Sequence, residues 1–342
     1  MRSGVVAGKK SEPSVRYALI DCDPGVDDAL ALAMGFASPF FRYAAVTTVH
    51  GNVSARLAYR NARRLVSFLR GHLESSIPDV PVYPGASLAL DGSRLNRSES
   101  RMIHGPEGMG AMFDKKRRLP RLGRGSSKPA WEVLVGQALK RGSQLTIITL
   151  GPLTNLALAL RHAPGVFSRV KRIVVMGGAA RMPGNVTPAA EFNIYCDPLA
   201  AKEVFSSGLP ITMVGLDVTR RALLSVDEFK GGGAFRAAFR DLIRVYARFA
   251  KKRRGAENIT LHDPLALAVA MKPDLVKTAS CRVDVDASQG IARGMTVVDL
   301  RENKESRVKN PVDVALDLDV KGFLAFFISH LRKYRGWDVG EE

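Results

Sequence analysis

Residues 17–36 read YALIDCDPGVDDALALAMGF. The apolar run Arg16–Asp21 ends in an acidic residue and predicts a buried strand, whereas Asp27–Phe36 has the apolar spacing of a helix. Between them, Pro24 and Gly25 favour a turn. A strand that passes through a short turn into a helix is typical of the first half of a βαβ unit, so this segment predicts an α/β fold.

The same alternation continues along the chain. Strands are predicted at 43–49, 82–84, 145–150, 172–176, 211–216, 278–285, 296–300 and 312–317, and helices at 55–69, 131–141, 153–161, 198–206, 235–254, 263–271 and 321–335. Residues 99–112, rich in glycine and methionine, are expected to form a loop. The pattern predicts an open, mostly parallel, Rossmann-like sheet with helices on both faces. Ligands of such folds bind at the carboxyl ends of the strands.

Composition narrows the class of protein. Of the 342 residues, 46% are hydrophobic and 25% are charged, which is the balance of a globular chain and excludes a disordered one. Three scattered cysteines form neither a disulfide framework nor a zinc motif. No transmembrane span or secretory signal is apparent, so we expect a cytoplasmic protein with no membrane partner. We expect one domain over 15–337, with tails at 1–14 and 338–342.

The formal net charge of +18 is unevenly distributed. Residues 115–128 carry seven basic side chains and no acidic one, and residues 251–254 carry four more. Such runs are found on nucleic-acid-binding surfaces, which makes a basic nucleic-acid-binding protein one alternative. No series of aromatic residues for base stacking accompanies them. We therefore interpret 115–128 as a basic surface loop and do not expect a nucleic-acid partner.

Four carboxylates lie within eight residues of each other, at Asp21, Asp23, Asp27 and Asp28. Helix capping would account for one or two of them. Four carboxylates this close repel one another unless a cation binds. An oxygen-only set without an adjacent histidine favours a hard ion, so the residues alone predict a Ca²⁺ or Mg²⁺ site.

Polar motifs follow several of the other predicted strands or precede predicted helices. They are His50-Gly51-Asn52, Leu150-Gly151-Pro152-Leu153-Thr154-Asn155, Met176-Gly177-Gly178, Glu191-Phe192-Asn193 and His262-Asp263-Pro264. Each alone has an ordinary explanation as a turn or a helix cap. Because most fall at the edge of the sheet where an α/β site forms, together they predict a binding site there.

The segment Asp21-Cys22-Asp23-Pro24-Gly25-Val26-Asp27-Asp28-Ala29 resembles the signature of the calcium-dependent nucleoside hydrolases, the inosine–uridine-preferring ribohydrolase family. The polar motifs above, in this order and together with His104-Gly105-Pro106-Glu107-Gly108-Met109-Gly110, extend the resemblance. The resemblance extends from Tyr17 to about Tyr334. It implies the nucleoside hydrolase fold and hydrolysis of the N-glycosidic bond of ribonucleosides to free base and ribose, in nucleoside salvage. It also implies a ribonucleoside substrate and assembly as a homodimer or homotetramer.

The resemblance further implies roles for individual residues. Ca²⁺ would be bound by Asp23, Asp28, the carbonyl of Leu150 and Asp263, with Asp21 orienting these ligands. The substrate would be bound by Asp27, Asn52, His104, Met176, Asn185, Glu191 and Asn193. Asp23 would deprotonate a water activated by Ca²⁺, and His262 would protonate the departing base.

One departure and one alternative accompany the resemblance. At the position where the inosine–uridine branch carries a base-positioning aromatic residue, this sequence has Ala250, with Tyr246 and Arg254 one helical turn away on either side. The preferred base is therefore open. The alternative is a Mg²⁺-dependent phosphatase of the haloacid dehalogenase type, in which Asp21 and Asp23 act as nucleophile and acid and Thr47 or Thr48 contacts the phosphate. It gives no role to the distant His262-Asp263.

Overall fold

The computed structural model describes residues 15–74, 79–95, 97–113, 122–255, 257–301 and 310–337. Its strands are β1 Tyr17–Cys22, β2 Arg42–Thr48, β3 Val82–Tyr83, β4 Leu145–Thr149, β5 Arg172–Met176, β6 Ile211–Val214, β7 Leu223–Ser225, β8 Asn258–Thr260, β9 Val276–Cys281, β10 Val283–Val285, β11 Thr296–Val298 and β12 Val312–Leu318. Its α-helices are α1 Val26–Phe36, α2 Ala55–His72, α3 Ser98–His104, α4 Ala130–Arg141, α5 Thr154–His162, α6 Phe192–Cys196, α7 Pro198–Phe205, α8 Leu216–Thr219, α9 Ala234–Arg254, α10 His262–Met271 and α11 Val320–Leu331.

Eight strands form one sheet in the order β3-β2-β1-β4-β5-β6-β12-β9. Every neighbouring pair is parallel except β12 and β9, which are antiparallel. Two short antiparallel pairs, β7 with β8 and β10 with β11, lie outside this sheet. The predicted mostly parallel α/β fold is confirmed.

Helices cover both faces of the sheet, which explains the long apolar runs of its strands. One hydrophobic cluster contains side chains of α1, α2, α9, α10 and α11, and the other contains those of α4, α5 and α7. All eleven residues of α1 are buried, including Asp27 and Asp28. Because α1 packs against the later helices α10 and α11, its acidic N-terminus lies inside the protein and not on the surface.

Two local predictions were wrong. Residues 99–112 are not all loop, because α3 forms within them. A seven-residue helix is marginal by itself, but α3 packs against α9, and the Ser100 hydroxyl donates to the Asn52 carbonyl. Residues 278–285 do not form one strand either. They divide between β9, which pairs with β12, and β10, which pairs with β11.

Some predictions concern residues outside the described ranges. The tails 1–14 and 338–342 are among them, and so are residues 115–121 of the basic loop. Within the described ranges, every helix is too short or too polar to cross a lipid bilayer.

Candidate active site

A pocket of about 690 Å³ opens where β1, β2, β4 and β5 end, which is the edge expected for a ligand site in this fold. Its volume falls within the range of small-molecule sites, roughly 300–1,000 Å³. Ten of the predicted site residues line it: Asp27, Asn52, His104, Leu150, Met176, Asn185, Glu191, Asn193, His262 and Asp263. Residues from many parts of the chain thus converge on one cavity.

The other three predicted residues, Asp21, Asp23 and Asp28, are fully buried and do not line the pocket. Asp21 Oδ1 accepts hydrogen bonds from the Thr47 hydroxyl and from Asn155 Nδ2, at 2.6 and 2.8 Å. Asp21 therefore ties the end of β1 to β2 and α5. Thr47 is engaged in this contact and Thr48 donates to the Tyr83 carbonyl, so the hydroxyl that the phosphatase alternative needs is already used.

The turn between β1 and α1 is held by its own carboxylates. Asp28 accepts hydrogen bonds from the backbone N–H groups of Asp23 and Gly25, at 3.1 and 2.8 Å. Asp23 Oδ2 accepts from the backbone N–H of Asn52, at 2.6 Å. Asn52 Nδ2 in turn donates to Asp28 at 3.3 Å. This network links the two loops that follow β1 and β2 and fixes the orientation of both carboxylates.

Burial raises the pKa of each carboxylate in this region, and repulsion by neighbouring carboxylates adds to this for Asp23, Asp27 and Asp263. Burial, followed by the charge of Asp28, raises the pKa of Asp27 to about 8, and burial raises that of Asp28 to about 6. For Asp23 and Asp263 the pKa is well above its usual range, mainly because of burial and then of neighbouring carboxylates. A cation bound between these groups would remove the cost of ionising them.

Three of these carboxylates are arranged to share a metal ion. Asp27, Asp28 and Asp263 each offer an oxygen atom, and these atoms lie within 4.8 Å of one another. Among the described residues, Asp23 Oδ1 and Asp27 Oδ1 are buried without a hydrogen-bond partner. Unpaired buried carboxylate oxygens and an all-oxygen donor set fit a hard divalent cation. The fit includes Asp27, which the resemblance assigns to the ribose.

Amide and carboxylate side chains form the wall of the pocket next to these acids. Asn193 Nδ2 donates to the carbonyls of Leu150 and Met176, at 2.8 and 3.1 Å. Glu191 caps α6, and its Oε2 accepts from the Gly178 and Ile194 N–H groups. Asn185 Oδ1 accepts from the N–H of Phe192. These bonds fix the polar atoms that face the cavity.

Histidine and aromatic side chains line other parts of the pocket. His104 Nδ1 accepts from the Val26 N–H, the first of α1, at 3.1 Å. Burial lowers the pKa of His104 to about 4, so the ring is neutral and carries its proton on Nε2. His262 Nδ1 lies 2.8 Å from the Thr219 hydroxyl. Tyr246 and Phe249 line the pocket from α9, next to Ala250.

Two glycines allow the Asp23 carboxylate to lie against the backbone. A Cβ atom added at Gly51 would overlap Asp23 Oδ2, and one added at Gly151 would lie 2.7 Å from Asp23 Oδ1. We expect Gly51→Ala to displace Asp23 and to lower kcat/KM by about 100-fold or more, because small misplacements of reacting groups are costly. Steady-state kinetics on the folded variant would measure this.

The matched control is Gly71→Ala, since an added Cβ in this α2 position meets nothing within 4 Å. It should leave kcat/KM unchanged and raise the free energy of unfolding by about 0.5–1 kcal/mol, the gain expected for alanine over glycine in a helix. A Gly51→Ala variant with normal kcat/KM would show that the Asp23 position does not depend on this close approach.

Sequence reasoning missed several residues of the pocket. Phe249, Tyr195, Thr260, Arg220 and Ile103 line it, although no motif marks them. The four-residue spacing of Val245 and Phe249 in α9 places them on one helix face, but it does not show which cavity that face borders. Contacts between elements distant in sequence decide this.

Known proteins with similar sequences belong to one enzyme family. The sequence model of the inosine-uridine preferring nucleoside hydrolase family matches residues 18–325. Uridine nucleosidase 1 of Arabidopsis thaliana is 36% identical over 97% of this chain and 96% of its own length. The non-specific ribonucleoside hydrolase RihC of Klebsiella pneumoniae is 38% identical over 89% of this chain and 94% of its own.

Solved structures give the same result. The purine-preferring ribonucleoside hydrolase from Gardnerella vaginalis superposes with a TM-score of 0.83 and is 34% identical, covering 92% of this chain and 98% of its own. An inosine-guanosine nucleoside hydrolase superposes with a TM-score of 0.81 at 24% identity, over 93% of this chain and 99% of its own, which is a likeness of fold. The fold, the site and the family match over residues 18–325 show that this chain belongs to the inosine-uridine preferring nucleoside hydrolase family.

Proposed function

We propose that this protein hydrolyses the N-glycosidic bond of ribonucleosides to free base and ribose, using Ca²⁺. The observation that carries the proposal is the cluster of buried carboxylates at the strand ends, beside a pocket lined by Asn52, Glu191 and Asn193. A neutral, hydroxyl-rich ribose suits such a pocket, because carboxylates and amides accept and donate hydrogen bonds to vicinal hydroxyls. The relatives named above act on nucleosides of several kinds.

Asp27, Asp28 and Asp263, whose carboxylate oxygens lie within 4.8 Å of one another, would hold Ca²⁺. The family resemblance adds Asp23 and the carbonyl of Leu150 to this set. When bound, Ca²⁺ supplies Lewis-acid activation of a water molecule and neutralises the surrounding carboxylates. The Asp21 carbonyl accepts a hydrogen bond from the backbone N–H of Leu150 at 2.7 Å. Its side chain positions the end of β1 through Thr47 and Asn155.

Asp23 is our candidate general base. Its Oδ2 is held by the Asn52 N–H, whereas Oδ1 has no hydrogen-bond partner among the described residues and can accept a proton. As the C1′–N bond breaks, positive charge develops on the ribose, as in the oxocarbenium-like transition states of glycoside hydrolysis. Asp27 and Glu191 line the pocket and would stabilise this charge electrostatically.

Ribose binding would involve the polar wall of the pocket. Asp27, Asn52 and Asn193 would bind the 2′- and 3′-hydroxyls, and Asn185 and Glu191 would bind the 5′-hydroxyl. Met176 would pack against the sugar.

The departing base would lie between His104 and the aromatic residues Tyr246 and Phe249, and His104 Nε2–H would donate a hydrogen bond to it. Tyr246 and Phe249 would thus position the base, which is the role of the aromatic residue that this sequence replaces with Ala250.

His262 is our candidate leaving-group acid, because an imidazolium can donate a proton to a departing base and the Thr219 hydroxyl orients the ring through Nδ1. We expect His262→Ala to slow hydrolysis of inosine or uridine by on the order of 10²- to 10⁴-fold. An activated p-nitrophenyl riboside, whose leaving group needs no proton, should lose far less. Equal losses for both substrates, measured as kcat/KM, would exclude this role.

The proposed function is tested by measuring ribose release from inosine, guanosine, adenosine, uridine and cytidine, each with and without a chelator. Chelator-sensitive release from at least one of them is the expected result, and the ranking of the five identifies the preferred base. No release from any of them under Ca²⁺ saturation would contradict the proposal.

We also propose that the chain assembles as a homodimer or homotetramer. Large apolar side chains are exposed around the β10–β11 hairpin, including Ile291, Met295 and Val297, and exposed apolar patches commonly mark protein interfaces. Sedimentation equilibrium would measure the assembly state, and a monomer at micromolar concentration would contradict this part of the proposal.

A further inference from the structure

We propose, on the basis of the function above, that Arg220 makes this pocket a binding site for ribonucleosides with an anionic group at C5′, a phosphate or a carboxylate. Arg220 follows α8 and lines the pocket at the end formed by Gly184 and Asn185. Its Nη2 donates to the Gly184 carbonyl at 2.7 Å, which holds the guanidinium at that end.

The guanidinium has no carboxylate partner among the described residues. The one acidic residue of α8, Asp217, accepts the backbone N–H groups of Ala180 and Arg181 at 2.7 Å each. The next residue, Arg221, is paired, since it contacts Asp317 at 2.6 Å and also donates to the Leu318 carbonyl. Of two consecutive arginines, one forms an ion pair outside the pocket and the other lines the pocket as an unpaired cation.

A half-buried guanidinium without a counter-ion loses hydration, which the Gly184 carbonyl replaces only in part. One of its five N–H donors is used by Gly184, which leaves the others for a ligand. Guanidinium groups bind phosphate and carboxylate in a bidentate manner. The chemistry of this end of the pocket therefore favours an anion, whereas a nucleoside with a free 5′-hydroxyl brings no charge to it.

The position of Arg220 relative to the sugar follows from Asn185. Gly184 precedes Asn185, and our proposed binding mode places Asn185 and Glu191 at the 5′-hydroxyl. A group attached to C5′ would lie at the end of the pocket that Arg220 shares with Asn185 and Glu191. The net charge of +18 adds a long-range attraction for anionic ligands.

The first experiment is inhibition of nucleoside hydrolysis by ribose 5-phosphate and by ribose, at low ionic strength. With the unaltered protein, ribose 5-phosphate should inhibit about tenfold or more strongly than ribose, as expected for a charge-assisted hydrogen-bonded pair. Arg220→Gln should reduce this ratio to about one, and Arg220→Lys should retain part of it.

The matched control is Arg181→Gln, which removes one positive charge from an exposed side chain of the loop that precedes Gly184. It should keep the ratio of the two inhibition constants. A ratio near one in the unaltered protein overturns the proposal, even if Arg220→Gln fails to fold. An equal fall of the ratio in Arg181→Gln also overturns it, because the effect would then be one of net charge.

A second comparison distinguishes a phosphate from a carboxylate as the anionic group at C5′. The values of kcat/KM for uridine, uridine 5′-monophosphate and the 5′-carboxylate of uridine would be measured side by side, or those of the corresponding compounds of the preferred base. A preference for either anion over the neutral nucleoside supports the proposal and identifies its source, and a preference for the neutral nucleoside over both overturns it.

Failure of the proposed function would be distinguishable from failure of this inference. If no nucleoside releases ribose, calorimetric titration of the Ca²⁺-loaded protein with ribose 5-phosphate and with ribose still measures the ratio of affinities. If nucleosides are hydrolysed and this ratio is near one, the proposed function stands and the role of Arg220 is excluded.

Discussion

Asp23→Asn is expected to remove nearly all turnover while leaving the fold intact. Asparagine has the shape of aspartate and can still accept the Asn52 N–H hydrogen bond, so the loops that follow β1 and β2 should stay joined. It cannot act as a general base, and it is a weaker ligand for a hard cation. We expect kcat to fall on the order of 10³-fold or more, which is within the range of losing a general base.

The same substitution should stabilise the metal-free protein. Burial and the charges of Asp28, Asp27 and Asp21 raise the pKa of Asp23, so its ionised form is unfavourable without a cation. A neutral amide removes this repulsion, and the midpoint of thermal unfolding in chelator should rise. A loss of activity together with a gain in stability would separate a catalytic role from a structural one.

Asp274→Asn is the matched control, because Asp274 is exposed and pairs with Lys272. It should change neither kcat nor the midpoint of unfolding measurably. An Asp23→Asn variant with near-normal kcat would show that another group deprotonates the water. A variant that loses its fold would contradict the expectation that the amide still holds the Asn52 N–H.

Chelation should have an effect as large as that of Asp23→Asn. We expect activity to disappear in excess chelator and to return on addition of Ca²⁺, and Mg²⁺ should restore less. Mg²⁺ requires a smaller, near-octahedral shell, whereas Ca²⁺ accepts irregular sets of carboxylates and carbonyls such as the one described here. Ribose release during a titration with each ion would measure this, and unchanged activity in chelator would contradict a metal-dependent mechanism.

The stability of the metal-free protein should fall as pH rises. Burial raises the pKa of Asp28 to about 6, of Glu191 to about 7 and of Asp27 to about 8, all above the values for the unfolded chain, close to 4. Between pH 4 and 8 the folded state therefore binds more protons, and its stability falls as pH rises.

Bound Ca²⁺ competes with these protons, so its affinity should increase over the same range and oppose the loss of stability. The measurement is the midpoint of thermal unfolding at pH 5 and pH 8, in chelator and in Ca²⁺. A midpoint in chelator that rises between pH 5 and pH 8 would contradict the raised pKa values.

Much of the fold was predictable because local signals agreed with the final structure. The apolar runs at β1, β4 and β5 are buried on both faces, and their bounds differ from the prediction by at most one residue. Prediction failed where tertiary contacts form the element. The helix α3 depends on α9 and on Asn52, and residues 278–285 divide between two different partner strands.

The pocket residues that follow strands were predictable from sequence, whereas Arg220, which follows α8, and Phe249 of α9 were not. Motifs at strand ends indicated Asn52, Leu150 and Met176, because the end of a strand in a parallel sheet fixes where a residue lies. The lining residues Arg220 and Phe249 carry no such signal. Their side chains reach the pocket through the packing of α8 and α9, and no local pattern encodes that packing.

Local sequence was enough to predict the α/β class, the alternation of most strands and helices and the acidic turn between β1 and α1, since each depends on residues close together in the chain. Long-range packing, in contrast, places α10 against α1 and brings Asp263 within reach of Asp27 and Asp28. It also places Gly51 against Asp23, and it brings Arg220 but not Arg221 to the pocket. These features depend on side chains far apart in sequence, whose contacts form when the helices bury their apolar faces against the sheet.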